Sequence, residues 1–244
     1  MNRLQYGYQV SSRWHNIRPA WLLALFILSG WIVGLVGDLI NVCPPMVGFC
    51  GKATLFLAQD NGLVLYGHQY YQMFTSILVT DSVLDAGFNA IAVLIFDWLT
   101  EDSLNKTRYF AIFFGSALLG NLMTMLQGAN YASAGASGGI FGLFAALVAF
   151  SSLKQRKIEA PPAILFIIVF FGSSILPDVN YVAHIGGAVG GFIAAGLMYD
   201  SVKPSITEYS FAYESKTISV AIVAGLILIA CIASIVQFIL FVWR

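Results

Sequence analysis

Two residues that could perform chemistry together lie in short runs of glycine and alanine. Ser137 stands in the sequence GASGG and His184 in AHIGG, 47 positions later. A serine hydroxyl activated by an imidazole is the pair with which many hydrolases form an acyl-enzyme. A serine among glycines is equally typical of membrane helices that pack closely. From its motif alone, Ser137 is either a nucleophile or a small residue at a helix contact.

GASGG also fits the Gly-x-Ser-x-Gly elbow of soluble α/β hydrolases. That elbow needs a strand before the serine and a helix after it. Here a polar loop precedes Ser137 and a long apolar run follows it. We therefore attribute the match with the soluble motif to composition.

The elements that must position these residues are membrane helices. Of the 244 residues, 59% are hydrophobic and 10% are charged, and the mean hydropathy is +0.81. Soluble domains carry about 25% charged residues. The zero net charge and the absence of a basic stripe argue against nucleic-acid binding. The three histidines lie far apart and there is no Cys-x-x-Cys motif, so no metal site is predicted.

Apolar runs long enough to cross a bilayer predict an all-α, polytopic membrane helix bundle. Four parts are expected: a cytoplasmic segment 1–19, a six-helix core 20–199, a cytoplasmic linker 200–216 and a seventh helix 217–242. The predicted spans are 20–40, 83–100, 108–127, 136–152, 161–177, 182–199 and 217–242.

The distribution of lysine and arginine predicts the orientation of these spans. With the N-terminus inside, ten basic residues fall on the inner side and two, Lys52 and Arg244, on the outer side. This is the asymmetry of the positive-inside rule. We expect a multi-pass protein of the cell membrane, with a cytoplasmic N-terminus and an external C-terminus.

In this topology Ser137 and His184 each lie in the first turn of a span that runs inward. Both are therefore expected near the outer surface. Glycines on the two spans would allow the backbones to approach closely, namely Gly135, Gly138 and Gly142 on the fourth span and Gly187 and Gly191 on the sixth. A close contact of these spans would bring the imidazole within hydrogen-bond reach of the hydroxyl.

Polar side chains within apolar spans are costly, which favours a functional role. His184 is the strongest case, because it is the histidine that falls within a predicted span. The alternative is a histidine that only bonds a neighbouring helix. The other polar side chains of this kind are Asp85, Asn89, Asn121, Gln127 and Gln237.

These motifs resemble the rhomboid family of intramembrane serine proteases. GASG matches the family's Gly-x-Ser-Gly in the fourth helix, and His184 with Gly187 and Gly191 matches its Ala-His-x-x-Gly-x-x-x-Gly in the sixth. The resemblance covers roughly residues 20–199, and the additional last helix resembles the 6+1 subclass. It implies that Ser137 is the nucleophile and that His184 is the general base and acid.

The second span supplies further matches and one departure. Asn89 matches the asparagine that binds the oxyanion together with the Ser137 backbone N–H, and Glu101 matches an acidic residue at the inner end. Many relatives carry a histidine where this chain has Asp85, and an ionised carboxylate would repel an oxyanion. Three arrangements stay open: Asp85 faces water, Asp85 is protonated, or the oxyanion depends on Asn89 and the backbone alone.

Three other features of the sequence have open interpretations. Phe141 matches an aromatic residue that packs on the histidine ring in the family, and a core- or lipid-facing side chain is the alternative. The family's Trp-Arg pair has no clear match where Tyr71 and Gln72 stand. Cys43 and Cys50 are expected on the outer side, either as a disulfide or as two free thiols.

The resemblance implies an endopeptidase that cleaves transmembrane proteins in the lipid bilayer near its outer face, without a cofactor. Two other functional classes are the alternatives. A catalytically inactive rhomboid-like protein would bind membrane helices without cutting them. A transporter is disfavoured because the polar residues lie near the outer helix ends rather than at the midplane.

Overall fold

The computed structural model describes residues 18–39, 56–80, 83–100, 106–155, 164, 166–168 and 179–202. Most of these residues are helical, which confirms the predicted fold class. The helices are α1 (Pro19–Leu39), α2 (Asn61–Leu65), α3 (Gln72–Thr75), α4 (Val83–Thr100), α5 (Lys106–Thr124), α6 (Ser137–Gln155) and α7 (Tyr181–Val202). Two short strands, β1 (Gln59–Asp60) and β2 (Ala132–Ser133), pair antiparallel.

The five long helices lie where apolar runs predicted spans. Their ends differ from the predicted ends by at most three residues, counting the 3₁₀ turn Met125–Gln127 as the end of α5. The fifth predicted span is described only at Ile164 and residues 166–168, which are helical. The seventh span and nearly all of the linker lie outside the described residues.

Three stretches of the described chain are long and apolar enough to cross a membrane: Pro19–Gly37, Lys106–Gln127 and Tyr181–Met198. A fourth apolar stretch, Ser137–Phe150, is shorter. Large apolar side chains lie exposed on the outside of the bundle, among them Trp21, Leu25, Phe88 and Leu197. Contact with lipid accounts for such exposure, and the protein is a multi-pass membrane protein.

Two packing layers form the bundle. α7 packs extensively on both α5 and α6, which also pack on each other, while α1 packs mainly on α4. Buried aromatic rings join the layers: Phe96 of α4 makes edge contacts with Tyr109 of α5 and Phe144 of α6. The centroid separations of 5.6 and 5.7 Å are typical of such pairs.

α4, α6 and α7 begin at the same end of the bundle, where Asp85, Ser137 and His184 lie close together. We call it the Ser137 end. At the opposite end, Arg18 lies just before α1 and its guanidinium is 3.2 Å from the Asp97 carboxylate near the end of α4. The polar groups of the candidate site are therefore separated from this ion pair by the length of the bundle.

Candidate active site

The start of α6 places Ser137 in its first turn. Gly135 has a φ of +132°, a conformation that side-chain-bearing residues rarely adopt. Its N–H donates to the Ser76 carbonyl oxygen at 2.8 Å, which fixes the entry of the chain into the helix. The Ala136 carbonyl then accepts from Gly139 and Ile140. Ser137 thus emerges directly from a glycine turn onto a rigid helix.

His184 occupies the matching position on α7. Its Nε2 atom lies 2.9 Å from Ser137 Oγ, within hydrogen-bond distance. The histidine is buried, with 3% of its surface exposed, whereas Ser137 is half-buried. The structure therefore brings together the two residues that the sequence motifs singled out, in a geometry that permits proton transfer between them.

Phe141 packs on the histidine ring from one turn further along α6. The ring centroids are 4.2 Å apart and the planes are inclined by 36°. Phe141 is itself buried at 2% exposure. Such a contact limits rotation of the imidazole, so it restricts the directions in which Nε2 can point.

Glycines allow α6 and α7 to approach this closely. A Cβ atom built on Gly187 would overlap the Gly138 carbonyl oxygen, and one on Gly191 would overlap the Gly142 carbonyl oxygen. A Cβ on Gly142 would in turn overlap the side chain of Ser116 on α5. Backbone-to-backbone packing of this kind is typical of small-residue interfaces in membranes.

Asp85 and Asn89 lie one helical turn apart on α4, at the Ser137 end. Asp85 Oδ2 is buried and would lie 3.2 Å from a Cβ built on Gly135, while Ser137 Oγ would lie 4.0 Å from the same point. This oxygen therefore faces the site, while Asp85 as a whole is half-buried. Asn89 is buried, and its Nδ2 has no acceptor among the described residues.

Sequence reasoning missed Asn180, which lies one turn before His184. Its Oδ1 accepts from the Ala183 N–H at 3.1 Å, as an N-cap of α7, and from Gln127 Nε2 at 2.8 Å. Its Nδ2 donates to Thr124 Oγ1 at 2.8 Å and to Ser133 Oγ at 2.9 Å. The preference of asparagine for N-caps is the signal that could have identified it.

The connection between α1 and α4 is held by buried amides that were also missed. Gln59 Nε2 donates to the Asn121 carbonyl oxygen, and Asn61 Nδ2 donates to the Thr124 and Gly128 carbonyl oxygens, each within 2.9 Å. Gln72 Oε1 accepts from the Asp60 N–H. These bonds fasten residues 59–72 to the end of α5.

Two residues without a clear match in the family motif, Tyr71 and Gln72, are buried beside these amides. The Tyr71 hydroxyl donates to Gln69 Oε1 at 2.9 Å. Burial raises the pKa of Tyr71 to about 12, so the hydroxyl keeps its proton at physiological pH. Cys43, Cys50 and Glu101 lie outside the described residues.

This arrangement contains the parts that acyl transfer requires. A half-buried hydroxyl contacts a buried imidazole, and a buried amide donor lies on the neighbouring helix. Helix geometry also leaves the first N–H groups of α6 without an intrahelical acceptor, and these carry the positive end of the helix dipole. Such donors favour a negative oxygen near Ser137.

Comparisons with known proteins agree on one family. A family model described as the Rhomboid domain matches residues 67–201. YdcA of Bacillus subtilis is 29% identical over 134 residues, which are 53% of this chain and 67% of that protein. The rhomboid protease GluP of the same organism is 30% identical over 148 residues, which cover 59% of this chain and 29% of GluP.

A plant protein, RHOMBOID-like protein 1 of Arabidopsis thaliana, is 24% identical over 201 residues, covering 71% of this chain and 52% of its own length. The matches thus span about two thirds of the first relative and a smaller share of the other two. The Rhomboid domain match extends over more than half of this chain and includes both Ser137 and His184. The chain belongs to the rhomboid family.

Proposed function

We propose that this protein is an intramembrane serine endopeptidase that uses Ser137 as nucleophile and His184 as general base and acid. The observation that carries the proposal is the 2.9 Å separation between Ser137 Oγ and His184 Nε2. Membership of a family that contains named rhomboid proteases supports it.

The reaction would proceed in two halves. His184 Nε2 takes the Ser137 proton as Oγ attacks the carbonyl carbon of the scissile peptide bond. The same proton then passes to the leaving amine, the C–N bond breaks, and an acyl-enzyme ester remains. Water, deprotonated by His184, attacks this ester and releases the carboxylic acid product together with free Ser137.

The negative oxygen of each tetrahedral intermediate would be bound by the Asn89 amide and the Ser137 backbone N–H. Asn89 Nδ2 is buried and has no acceptor in the described part of the chain, so it is available for such a bond. Removal of one donor of this type typically lowers kcat by about 10² to 10³. Asp85 lies one turn away and would modulate the charge at this position.

Transmembrane proteins are the proposed substrates, cut in the bilayer near its outer face. The proposal includes the predicted orientation, in which the Ser137 end is the outer end, the N-terminus is cytoplasmic and the C-terminus is external. It also includes a seventh helix of the 6+1 type. Water would reach Ser137 from the outer side, which suits a nucleophile in the first turn of its helix.

Cleavage of a fluorescent transmembrane substrate by the purified protein in detergent tests the proposal. Wild type should cleave it, and both Ser137→Ala and His184→Ala should abolish cleavage. Ser29→Ala is the matched control, because Ser29 is an exposed serine of α1 whose hydroxyl donates to the Phe26 carbonyl oxygen of the same helix. It should cleave at the wild-type rate.

Equal cleavage by wild type and Ser137→Ala would contradict the proposal. A wild-type protein that binds the substrate helix but leaves it intact would support the alternative, an inactive rhomboid-like protein that binds membrane helices. Binding is measured in the same samples by fluorescence anisotropy, so the two functions are separated in one experiment.

A further inference from the structure

We infer that Asn180 is a positioning residue that sets the placement of His184 against Ser137. The inference rests on the proposed function, because it assigns a role within the same site. Its basis is a second hydrogen bond one turn before the Ser137–His184 contact: Asn180 Nδ2 donates to Ser133 Oγ at 2.9 Å. Asn180 and Ser133 each precede a member of the dyad by four residues.

Asn180 is attached directly to the turn that carries His184. Its side-chain Oδ1 accepts from the Ala183 N–H, and its carbonyl oxygen accepts from the His184 N–H at 3.2 Å. A displacement of Asn180 therefore displaces the first turn of α7, and the imidazole moves with it.

The other partners of Asn180 belong to three different segments. Thr124 is at the end of α5, Gln127 is in the 3₁₀ turn that follows, and Ser133 is in β2. All four side-chain hydrogen-bonding positions of the amide are used, two as acceptor and two as donor. An alanine side chain at this position makes none of these four bonds, so its partners lose them.

The partners are themselves fixed. The Thr124 hydroxyl donates to the Gly120 carbonyl oxygen, and the Thr124 carbonyl accepts from Asn61. Ser133 is held by the pairing of β2 with β1 at Gln59. Asn180 therefore ties α7 to a rigid framework rather than to a mobile loop.

Close packing of α5 and α7 alone would still let α7 slide and rotate, and the bonds of Asn180 oppose this motion. A Cβ on Gly120 would lie 2.6 Å from the Ala183 carbonyl oxygen, so α5 and α7 meet at their backbones here. Smooth glycine surfaces fix the distance between helices, but they resist sliding and rotation weakly. The directional bonds of Asn180 supply this resistance at the turn where catalysis needs it.

The test compares Asn180→Ala with Asn121→Ala. Asn121 is the matched control, because it is a buried asparagine at the end of α5 whose Nδ2 donates to the Met73 carbonyl and to Ser76 Oγ, and it contacts no residue of α7 through these bonds. Both changes delete the same atoms and break buried hydrogen bonds. We measure kcat, KM and the melting temperature for each.

A positioning role predicts that Asn180→Ala lowers kcat about tenfold to a hundredfold with little change in KM, since small misplacements of reacting groups have costs of that order. Asn121→Ala should lower the melting temperature by a similar amount while retaining most of kcat. An equal loss of kcat in both variants, or unchanged kcat in Asn180→Ala, would overturn the inference.

A second measurement does not depend on turnover. In protein labelled with ¹⁵N-histidine, the His184 ring signals are assigned by their loss in His184→Ala. They should shift or split in Asn180→Ala and stay unchanged in Asn121→Ala. If wild type proves inactive, the proposed function fails while this comparison still decides the role of Asn180; unchanged signals in Asn180→Ala would refute it.

Discussion

Three local features constrain the two residues of the proposed dyad. Ser137 is fixed by the Gly135 turn, His184 by the first turn of α7, and the imidazole plane by Phe141, whose ring centroid is 4.2 Å away. Because these constraints come from packed helices and from a turn bonded to Ser76, the distance between hydroxyl and imidazole is set before a substrate arrives. Such preorganisation lowers the cost of reaching the transition state.

Asp85 stands where the resemblance to the family leads us to expect a histidine. Its Oδ2 is buried beside Gly135, close to the region where an oxyanion would form next to Ser137. An ionised carboxylate there would oppose the negative charge, while an amide of the same shape would donate a hydrogen bond to it.

We therefore predict that Asp85→Asn raises kcat at neutral pH by about tenfold, a fraction of what a well-placed oxyanion donor contributes. Initial rates on the fluorescent transmembrane substrate provide the measurement. Asp85→Ala serves as the comparison, since it removes the carboxylate without adding a donor, and it should give a smaller gain. A large loss of rate in Asp85→Asn would show that the carboxylate itself assists catalysis.

Among single residues, the sequence predicted those whose motifs are local. Ser137 and His184 could be found because their glycine neighbours mark them. Asn180 could have been recognised as an N-cap, but its bonds to Thr124, Gln127 and Ser133 form only after the chain has folded. A single asparagine before a helix has many other uses.

Among the elements, α6 and α7 form the contact on which the site depends. Their glycines leave no room for a methyl group: a Cβ on Gly191 would overlap the Gly142 carbonyl oxygen. Gly196 lies five residues further along the same helix, and a Cβ built there meets no atom of the described residues within 4 Å. The helix thus offers a crowded and an open glycine for direct comparison.

Gly191→Ala is expected to lower the stability of the bundle by about 1–3 kcal/mol, as overpacking typically does, and to reduce cleavage by separating α6 from α7. Gly196→Ala should be neutral or slightly stabilising, because alanine favours a helix over glycine. Thermal unfolding in detergent followed by circular dichroism measures both. If the two variants melt alike, backbone contact between α6 and α7 does not stabilise the fold as described.

The long helices were predictable to within three residues because hydrocarbon requires about 20 consecutive apolar residues, a signal visible in any one sequence. The structure of residues 56–80 was not predictable from the sequence. Their buried amides look like ordinary loop composition, and their partners are carbonyl groups at the end of α5, more than fifty residues away. Only the folded chain brings such groups together.

On the scale of the whole molecule, polarity is divided between the two ends of the bundle. The Ser137 end holds the proposed dyad, Asp85, Asn89 and the buried amides of Gln59, Asn61 and Gln72. The opposite end holds the Arg18–Asp97 pair and the first turn of α5 with Lys106 and Arg108. In the proposed orientation, the end with these basic residues would face the cytoplasm.

The proposed function requires that one serine of a membrane helix, Ser137, acts as a nucleophile. A fluorophosphonate reagent reports it directly, because phosphorus is attacked by an activated serine and the adduct persists. We predict a single adduct, located by peptide mass spectrometry at Ser137. Labelling should slow by at least about a hundredfold in His184→Ala, the usual minimum for loss of a general base, and proceed at the wild-type rate in Ser29→Ala. An adduct on another serine, or equal labelling of wild type and His184→Ala, would contradict the proposed role of Ser137 as a nucleophile activated by His184.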